Sequence, residues 1–372
     1  MVFRNEKRNS MGNKNMKYAV WLRKVKLQIC SYNCKYQKII LVKKQVKFLI
    51  SIYLAIETRN MSTGIGSTKK NAAAAISVVM TTCNGALFLE EQIESILAQS
   101  ISPAEIIICD DQSTDGTNRI LEKYAQTGVI KYSVNSTKLG VVANFKNAVS
   151  LASKENYIAL SDQDDIWLPE KLEKSLMALK KIEEPNLPML VYSDLVLVDQ
   201  NNQILQQSFA KVLGSNKYQH CLETLLFGNF VTGCTLLMNP TMRTYFSDIP
   251  INKKIDHDNW MALIGFSFGK AIALGESPIR YRKHGENVTV ANIPKNSRLI
   301  RLVNHVKFTL KTNQYLENQF TIVRHFFEKY EKLLSKKDAT IMLQFLSLEN
   351  STYFKKKLAF EKAFYSKWIQ RF

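Results

Sequence analysis

From Ile76 onward, short apolar runs alternate with stretches in which apolar residues recur every three or four positions. Ile76–Thr81, Glu105–Cys109, Val129–Val134 and Tyr157–Leu160 have the length and composition of strands. Between the first two, Glu90–Ala98 has helical spacing, with Leu89, Ile93, Ile96 and Leu97 on one face. Asp115–Ala125 is predicted as a helix with Asp115 and Thr117 available as caps, Val141–Leu151 as another, and Pro169–Ile182 as one with Pro in its first turn. This alternation predicts βαβ units and an α/β fold, a mostly parallel central sheet flanked by helices. Further on, Leu190–Val198 reads as a strand, Cys221–Phe227 as a short helix and Val231–Met238 as a strand containing Gly233. Residues 256–268 read as an apolar helix opening on acids, and Ala271–Leu274 and Ile279–Tyr281 as strands. After about Asn292 the pattern turns helical and basic.

Charge sharpens these boundaries. The chain of 372 residues carries a formal +19, which taken whole suggests a nucleic-acid binder. Yet residues 1–60 hold 14 Lys/Arg against 2 Asp/Glu, residues 295–372 hold 16 against 6, and the stretch between is slightly acidic. Residues 1–60 therefore read as a basic arm, 61–75 as a linker, 76–292 as the main domain and 293–372 as a basic amphipathic helical region. Met61 directly precedes the linker and is expected to be the natural start, the arm being a translated upstream stretch. Arg298, Arg301, Lys307 and Lys311 interleave with apolar residues, a pattern suited to an anionic membrane surface. No apolar run reaches a membrane span and no signal peptide is evident. The six cysteines lack zinc spacing and are expected to be reduced thiols of a cytoplasmic protein.

Three predicted strand ends carry polar clusters on one sheet edge: Thr81–Gly85, Asp110–Gly116 and Ser161–Asp165. Ligands of parallel sheets gather at the carboxyl ends of strands. The crowded carboxylates of Asp162, Asp164 and Asp165 would repel one another, so a positive partner is expected. Mg²⁺ or Mn²⁺ bridging Asp162 and Asp164 to a diphosphate would supply it. The same acids could instead decorate a helix N-terminus, Asp110 and Asp111 could be turn residues, and Asp256 to Asp258 could be helix caps. No G-x-G-x-x-G turn or Walker loop follows the first strand, which argues against a dinucleotide enzyme or a P-loop ATPase.

Five segments in order, "ISVVMTTCNGALFLEEQIESILAQS", "EIIICDDQSTDGT", "NYIALSDQDDIWLPEKL", "NFVTGCTLLMN" and "DHDNWMALIGFSFGKAIALGESPIRYRKHGENV", resemble the family 2 glycosyltransferases of GT-A fold, rhamnosyltransferase-like branch. The resemblance implies inverting, metal-dependent transfer of a sugar, rhamnose from a dTDP donor or a hexose from a UDP-sugar, in cell-surface polysaccharide synthesis. It implies that Thr82, Asn84, Asp110 and Asp111 contact the nucleoside and that Asp162, Gln163 and Asp164 serve the nucleotide-sugar. It assigns Mg²⁺ or Mn²⁺ to Asp162 and Asp164 with His284. Asp258 would be the base, and Gly233, Cys234 and Trp260 would line the acceptor side. The partners would be a saccharide or lipid-linked acceptor and a membrane surface, at the inner face of the plasma membrane, with no nucleic acid. Two family features are absent: Thr82-Cys83 stands where an aromatic often stacks on the base, and no Arg occurs at Val142-Ala143-Asn144. The rivals are a nucleotidyltransferase, which would want a Gly-rich basic loop after the first strand, and a nucleic-acid binder, which would want its charge on the folded body.

Overall fold

The computed structural model describes residues 74–184, 186–284 and 316–365, all within the unit Ser67–Phe372. The basic arm, nearly all of the linker and the Arg298–Lys311 pattern lie outside the described residues.

Strand β1 (Ile76–Thr82) forms where Ile76, Val78, Val79 and Met80 are all fully buried, so it lies at the centre of a sheet covered on both faces. β2 (Glu105–Asp110), β3 (Lys131–Val134) and β4 (Tyr157–Ser161) extend it in parallel, β2 and β4 directly against β1 and β3 on the edge beyond β2. The intervening helices are α1 (Leu89–Leu97), α2 (Thr117–Gln126) and α3 (Val141–Leu151), as the periodicity predicts. After the acidic turn the chain forms a two-residue strand, β5 (Ile166–Trp167), and then helix α4 (Lys171–Lys180).

The predicted strand Leu190–Val198 is two strands in two sheets. β6 (Met189–Ser193) belongs to the main sheet, and β7 (Val196–Val198) to a small one. The break falls at Asp194, whose Oδ1 accepts from the backbone N–H of Leu195 at 2.8 Å and of Ala210 at 2.9 Å. β8 (Ile204–Gln206) and helices α5 (Phe209–Leu213) and α6 (Leu222–Phe227) follow. The predicted strand Val231–Met238 shrinks to β9 (Leu237–Met238), because Gly233–Thr235 coils into a 3₁₀ turn. β9 runs antiparallel between β4 and β6, the exception in an otherwise parallel sheet. Then come α7 (Pro240–Arg243), α8 (His257–Phe268), β10 (Lys270–Leu274) and β11 (Ile279–Arg282). The main sheet has the order β10-β6-β9-β4-β1-β2-β3 and the small one β5-β11-β7-β8.

Three helices close the chain: α9 (residues 316–330), α10 (Lys336–Leu346) and α11 (Tyr353–Tyr365). Phe326 and Tyr330 of α9 pack on Trp260 of α8, with ring centroids 5.3 and 6.1 Å apart, so these helices complete the core of the sheet domain. Among the described residues no helix is long and apolar enough to cross a membrane.

One close approach fixes the β6–β10 edge. A Cβ at Gly269 would lie 1.7 Å from the carbonyl oxygen of Pro188, which accepts from Lys270 N at 3.1 Å. Backbone cannot yield as a side chain can, so Gly269→Ala is expected to destabilise the fold by about 3 kcal/mol. Urea denaturation checks this; a loss under about 0.5 kcal/mol, the range of neutral surface changes, would contradict the packing.

Candidate active site

The ends of β1, β2 and β4 meet at one edge of the main sheet, which places the three polar clusters together as expected. At the end of β1, Thr82 Oγ1 donates to Asp110 Oδ2 at 2.7 Å. Asp110 is fully buried and also accepts from Ser113 N at 2.8 Å and Ser113 Oγ at 2.5 Å. Asp111 accepts from Leu139 N at 2.7 Å, Asn135 Nδ2 at 3.0 Å and Gly140 N at 2.9 Å. Burial pushes the Asp111 carboxyl up, but these bonds outweigh it and hold the group below the ordinary carboxylate range. Both carboxylates thus hold loops in place.

The first loop is tied on three sides. Asn84 has a left-handed backbone, φ 51°, and its Oδ1 accepts from Thr114 N at 2.9 Å while its N–H donates to Ser113 Oγ at 2.8 Å. Gln163 clamps the neighbouring peptide in both senses: Oε1 accepts from Cys83 N at 2.8 Å and Nε2 donates to Cys83 O at 3.0 Å. Gly85 leaves room for that clamp, since a Cβ there would fall 2.3 Å from Gln163 Oε1. The Gln163 side chain therefore joins the first cluster to the third.

The third cluster is the electrostatic centre. Ligand atoms of Asp162, Asp165 and Cys234 all lie within 4.8 Å of one another. Burial, and then the Asp164 charge, push the Asp162 carboxyl up to about 7. Burial and the two neighbouring acids push Asp165 well above its ordinary value, and its Oδ2 has no hydrogen-bond partner among the described residues. Asp164 Oδ2 lies 2.7 Å from His284 Nε2, and the His284 ring packs on Phe88 with centroids 5.1 Å apart. The half-buried carboxylates of Asp162 and Asp164, with the unmet oxygen of the fully buried Asp165 behind them in sequence, are oxygen donors that suit a hard divalent cation.

The sequence reading missed the residues that hold this turn. Along one face of α1, Gln92, Ser95 and Gln99 staple it. Gln92, with its amide oriented to satisfy both ends, donates to Asp165 O at 2.7 Å and accepts from Trp167 Nε1 at 3.3 Å and Ser161 Oγ at 2.8 Å. Ser95 Oγ accepts from Trp167 N at 3.0 Å; Gln99 donates to Leu168 O at 2.8 Å and accepts from Leu172 N at 3.0 Å. From β11, the buried Arg282 donates to Asp164 O at 3.0 Å and Gln200 O at 2.9 Å and pairs with Glu91 at 2.7 Å. Lys171 is fully buried with Nζ 3.4 Å from the Trp167 ring centroid, and desolvation pushes it down to about 7. The uncharged polar residues at i, i+3 and i+7, running from α1 to just past its end, were the available signal.

Asp258 lies in the first turn of α8, half-buried, beside Gly233. A Cβ on Gly233 would fall 2.7 Å from His257 Nε2 and 3.7 Å from Asp258 Cβ, so only glycine lets the 3₁₀ turn approach this helix start. Burial, followed by Asp256 and more weakly Asp162, pushes the Asp258 carboxyl up to about 7, against hydrogen bonds from the Asn259 and Gly233 backbone.

Two assignments to the acceptor side need correction. Trp260 is fully buried against Phe326 and Tyr330. It lies two residues from Asp258, about 200° round the helix, and so faces the core. Cys234 is 1% exposed and sits behind Asp162 and Asp165. There desolvation and the two carboxylates push its thiol well up, so it is a neutral buried group.

A family model described as "Glycosyl transferase family 2" matches residues 77–206. EpsE of Bacillus subtilis (strain 168) is 42% identical over 113 residues, 30% of this chain and 40% of that protein. The UDP-Glc:alpha-D-GlcNAc-diphosphoundecaprenol beta-1,3-glucosyltransferase WfgD of Escherichia coli is 26% identical over 208 residues, 56% of this chain and 76% of that one. The chain spans 40% to 60% of the length of the first curated relatives it matches. Among solved structures, S. aureus TarS 1-349 in complex with UDP-GlcNAc superposes with a TM-score of 0.51 at 15% identity, covering 78% of this chain and 79% of that one, a likeness of fold. The sheet, the order of its clusters and the domain match agree: residues 77–206 match a glycosyl transferase family 2 domain, set on a GT-A scaffold.

Proposed function

We propose that this protein is an inverting glycosyltransferase of cell-surface polysaccharide synthesis, moving a hexose from a nucleoside diphosphate onto a lipid-diphosphate-linked saccharide. The observation that carries this reading is the convergence of two acidic groups: Asp258, against Gly233 at the start of α8 and within reach of the Asp162 charge, and the Asp162–Asp164 turn that follows β4. A base and a diphosphate anchor are the two things the reaction requires. Asp258 takes the proton from the acceptor hydroxyl as that oxygen attacks the anomeric carbon. Attack from the side opposite the departing diphosphate inverts the centre. Asp162 and Asp164, with His284 set against Asp164, would hold Mg²⁺ or Mn²⁺, which when bound neutralises charge on the leaving diphosphate. The loops held by Thr82, Asn84, Asp110, Asp111 and Gln163 form the nucleoside pocket, and Gly233 sets the distance between acceptor and base.

A UDP-hexose is favoured over dTDP-rhamnose because WfgD, by its name, takes UDP-Glc. The same name supports an acceptor carried on a polyprenol diphosphate, and hence a place at the inner face of the plasma membrane. A thermal-shift panel of UDP-, dTDP- and GDP-sugars with and without Mn²⁺ tests the reading. A UDP-sugar at a hundredfold excess over its Kd should stabilise the chain by about 3 kcal/mol, roughly 5 °C or more, only when Mn²⁺ is present. A panel without any metal-dependent shift would rule out the proposed donor site.

A further inference from the structure

The C-terminal helices do more than fill the core. Between the segment leading into α6 and the helices α10 and α11 lies a groove of about 1250 Å³. That exceeds the ~300–1,000 Å³ of pockets for drug-sized ligands. Its floor is Tyr218, Leu226, Phe227, Phe345, Leu348 and Phe364, with Phe364 4.3 Å from Tyr218 and Phe345 5.1 Å from Phe227 between ring centroids. Its charged lining residues are Lys217, Lys362 and Glu223, a net positive set. The other face of α11 is unusual. Phe354 and Leu358, four residues apart and so adjacent on the helix, are 78% and 64% exposed, with Lys355 and Lys357 beside them and Glu361, 3.9 Å from Lys357, on the same side. An exposed apolar ridge on a helix whose lysines outnumber its one acid, Glu361, matches an anionic bilayer surface.

One wall of the groove is continuous in the chain with the segment that ends beside Asp258. Tyr218 packs near His220, which stacks on Phe230 at 4.0 Å, and Gly233 beside Asp258 follows three residues later. Six residues separate Phe227 from Gly233, a span of at most about 22 Å.

We propose that this groove is a port for the hydrocarbon tail of a lipid-diphosphate-linked acceptor, with α11 at the bilayer surface from which the tail enters. The inference rests on the reading above that the acceptor is membrane-borne. Aromatic and aliphatic floor residues take the tail, the groove lysines complement the diphosphate, and the chain from Phe227 to Gly233 connects both to the base. A saccharide without a tail would have no use for the exposed Phe354 and Leu358.

The test uses the full chain, a benzophenone-bearing polyprenyl diphosphate and no donor sugar. After irradiation, the label is expected on peptides containing residues 341–348 and 359–364, and unlabelled polyprenyl diphosphate should compete. Ala363→Trp, which fills the groove, should cut labelling by about tenfold or more, with Tm and UDP-sugar binding unchanged. Lys217→Glu with Lys362→Glu should do the same without altering packing, and decides the matter if the tryptophan variant fails to fold. Label falling elsewhere, or variants that label like the wild type, overturn the port. So does equal competition by a tail-less saccharide diphosphate, or by phosphatidylglycerol vesicles. Sugar transfer with label outside the groove sinks the port alone; groove labelling without transfer from any donor leaves the port standing and sinks the transferase reading.

Discussion

Asp258→Asn is expected to lower kcat by about 10²–10⁴-fold while donor affinity stays within a factor of about 2. The amide keeps the shape of the side chain but cannot take a proton. In the proposed reading the donor is held by loops tied to Asp110, Asp111 and Gln163, whose hydrogen bonds run to Thr82, Leu139 and Cys83 rather than to this helix start. The pH profile gives an independent reading. Burial holds the Asp258 carboxyl up at about 7, and the base must be ionised to act. Activity should therefore rise with pH, reach half its limit near 7 and level off above. The next contribution after burial is the Asp256 charge, so Asp256→Asn should slide the rising limb toward lower pH without lowering the plateau. A profile flat from pH 5 to 9, or an Asp258→Asn variant that retains more than about a tenth of wild-type kcat, would remove Asp258 from the role of base.

Why the sequence misjudged the neighbour of Asp258 is a matter of geometry. Asp258 and Trp260 are close in the chain and belong to one recognisable segment, but two residues along a helix are nearly opposite one another. Cys234 went wrong for the same reason in another form: adjacent to Gly233, it is buried, with its sulfur within 4.8 Å of the Asp162 and Asp165 oxygens. Elements with a long periodic signal, β1 through α4, were legible because burial alternates with the helical and extended periods. β5 and β8 were not, because two or three residues carry no period. The run Leu190–Val198 concealed its break because Leu195, Leu197 and Val198 are buried too, in a different layer. Least legible was the support of the acidic turn. Arg282 and Glu91 are 191 positions apart and Gln99 and Leu168 are 69 apart, pairings that no local pattern announces.

Asp162→Asn should abolish most turnover and, in metal-free buffer at pH 8, make the protein more stable. The first effect follows from loss of a diphosphate anchor, about 10²–10³-fold by analogy with removal of one charge-stabilising group. The second follows from the cost of ionising Asp162 in a half-buried cluster beside Asp164. In the unfolded chain this carboxyl titrates near the ordinary value of about 3.9, and in the fold it is pushed up to about 7. Between those limits the folded state holds a proton that the unfolded state has released. The group's contribution to stability is thus intact in acid, declines as pH rises and is fully lost above about 7. Asparagine carries no such penalty, so the variant's advantage should be largest at pH 8 and vanish as the pH falls toward 4. Adding Mn²⁺ with a UDP-sugar should reverse the order, because the wild type gains stability by binding and the variant does not. Melting curves at pH 5 and 8, with EDTA or with both ligands, read all of this at once. A variant less stable than the wild type in EDTA at pH 8 would mean that Asp162 is a structural acid. Activity bought at the expense of the empty fold is what separates a ligand site from decoration on a helix end.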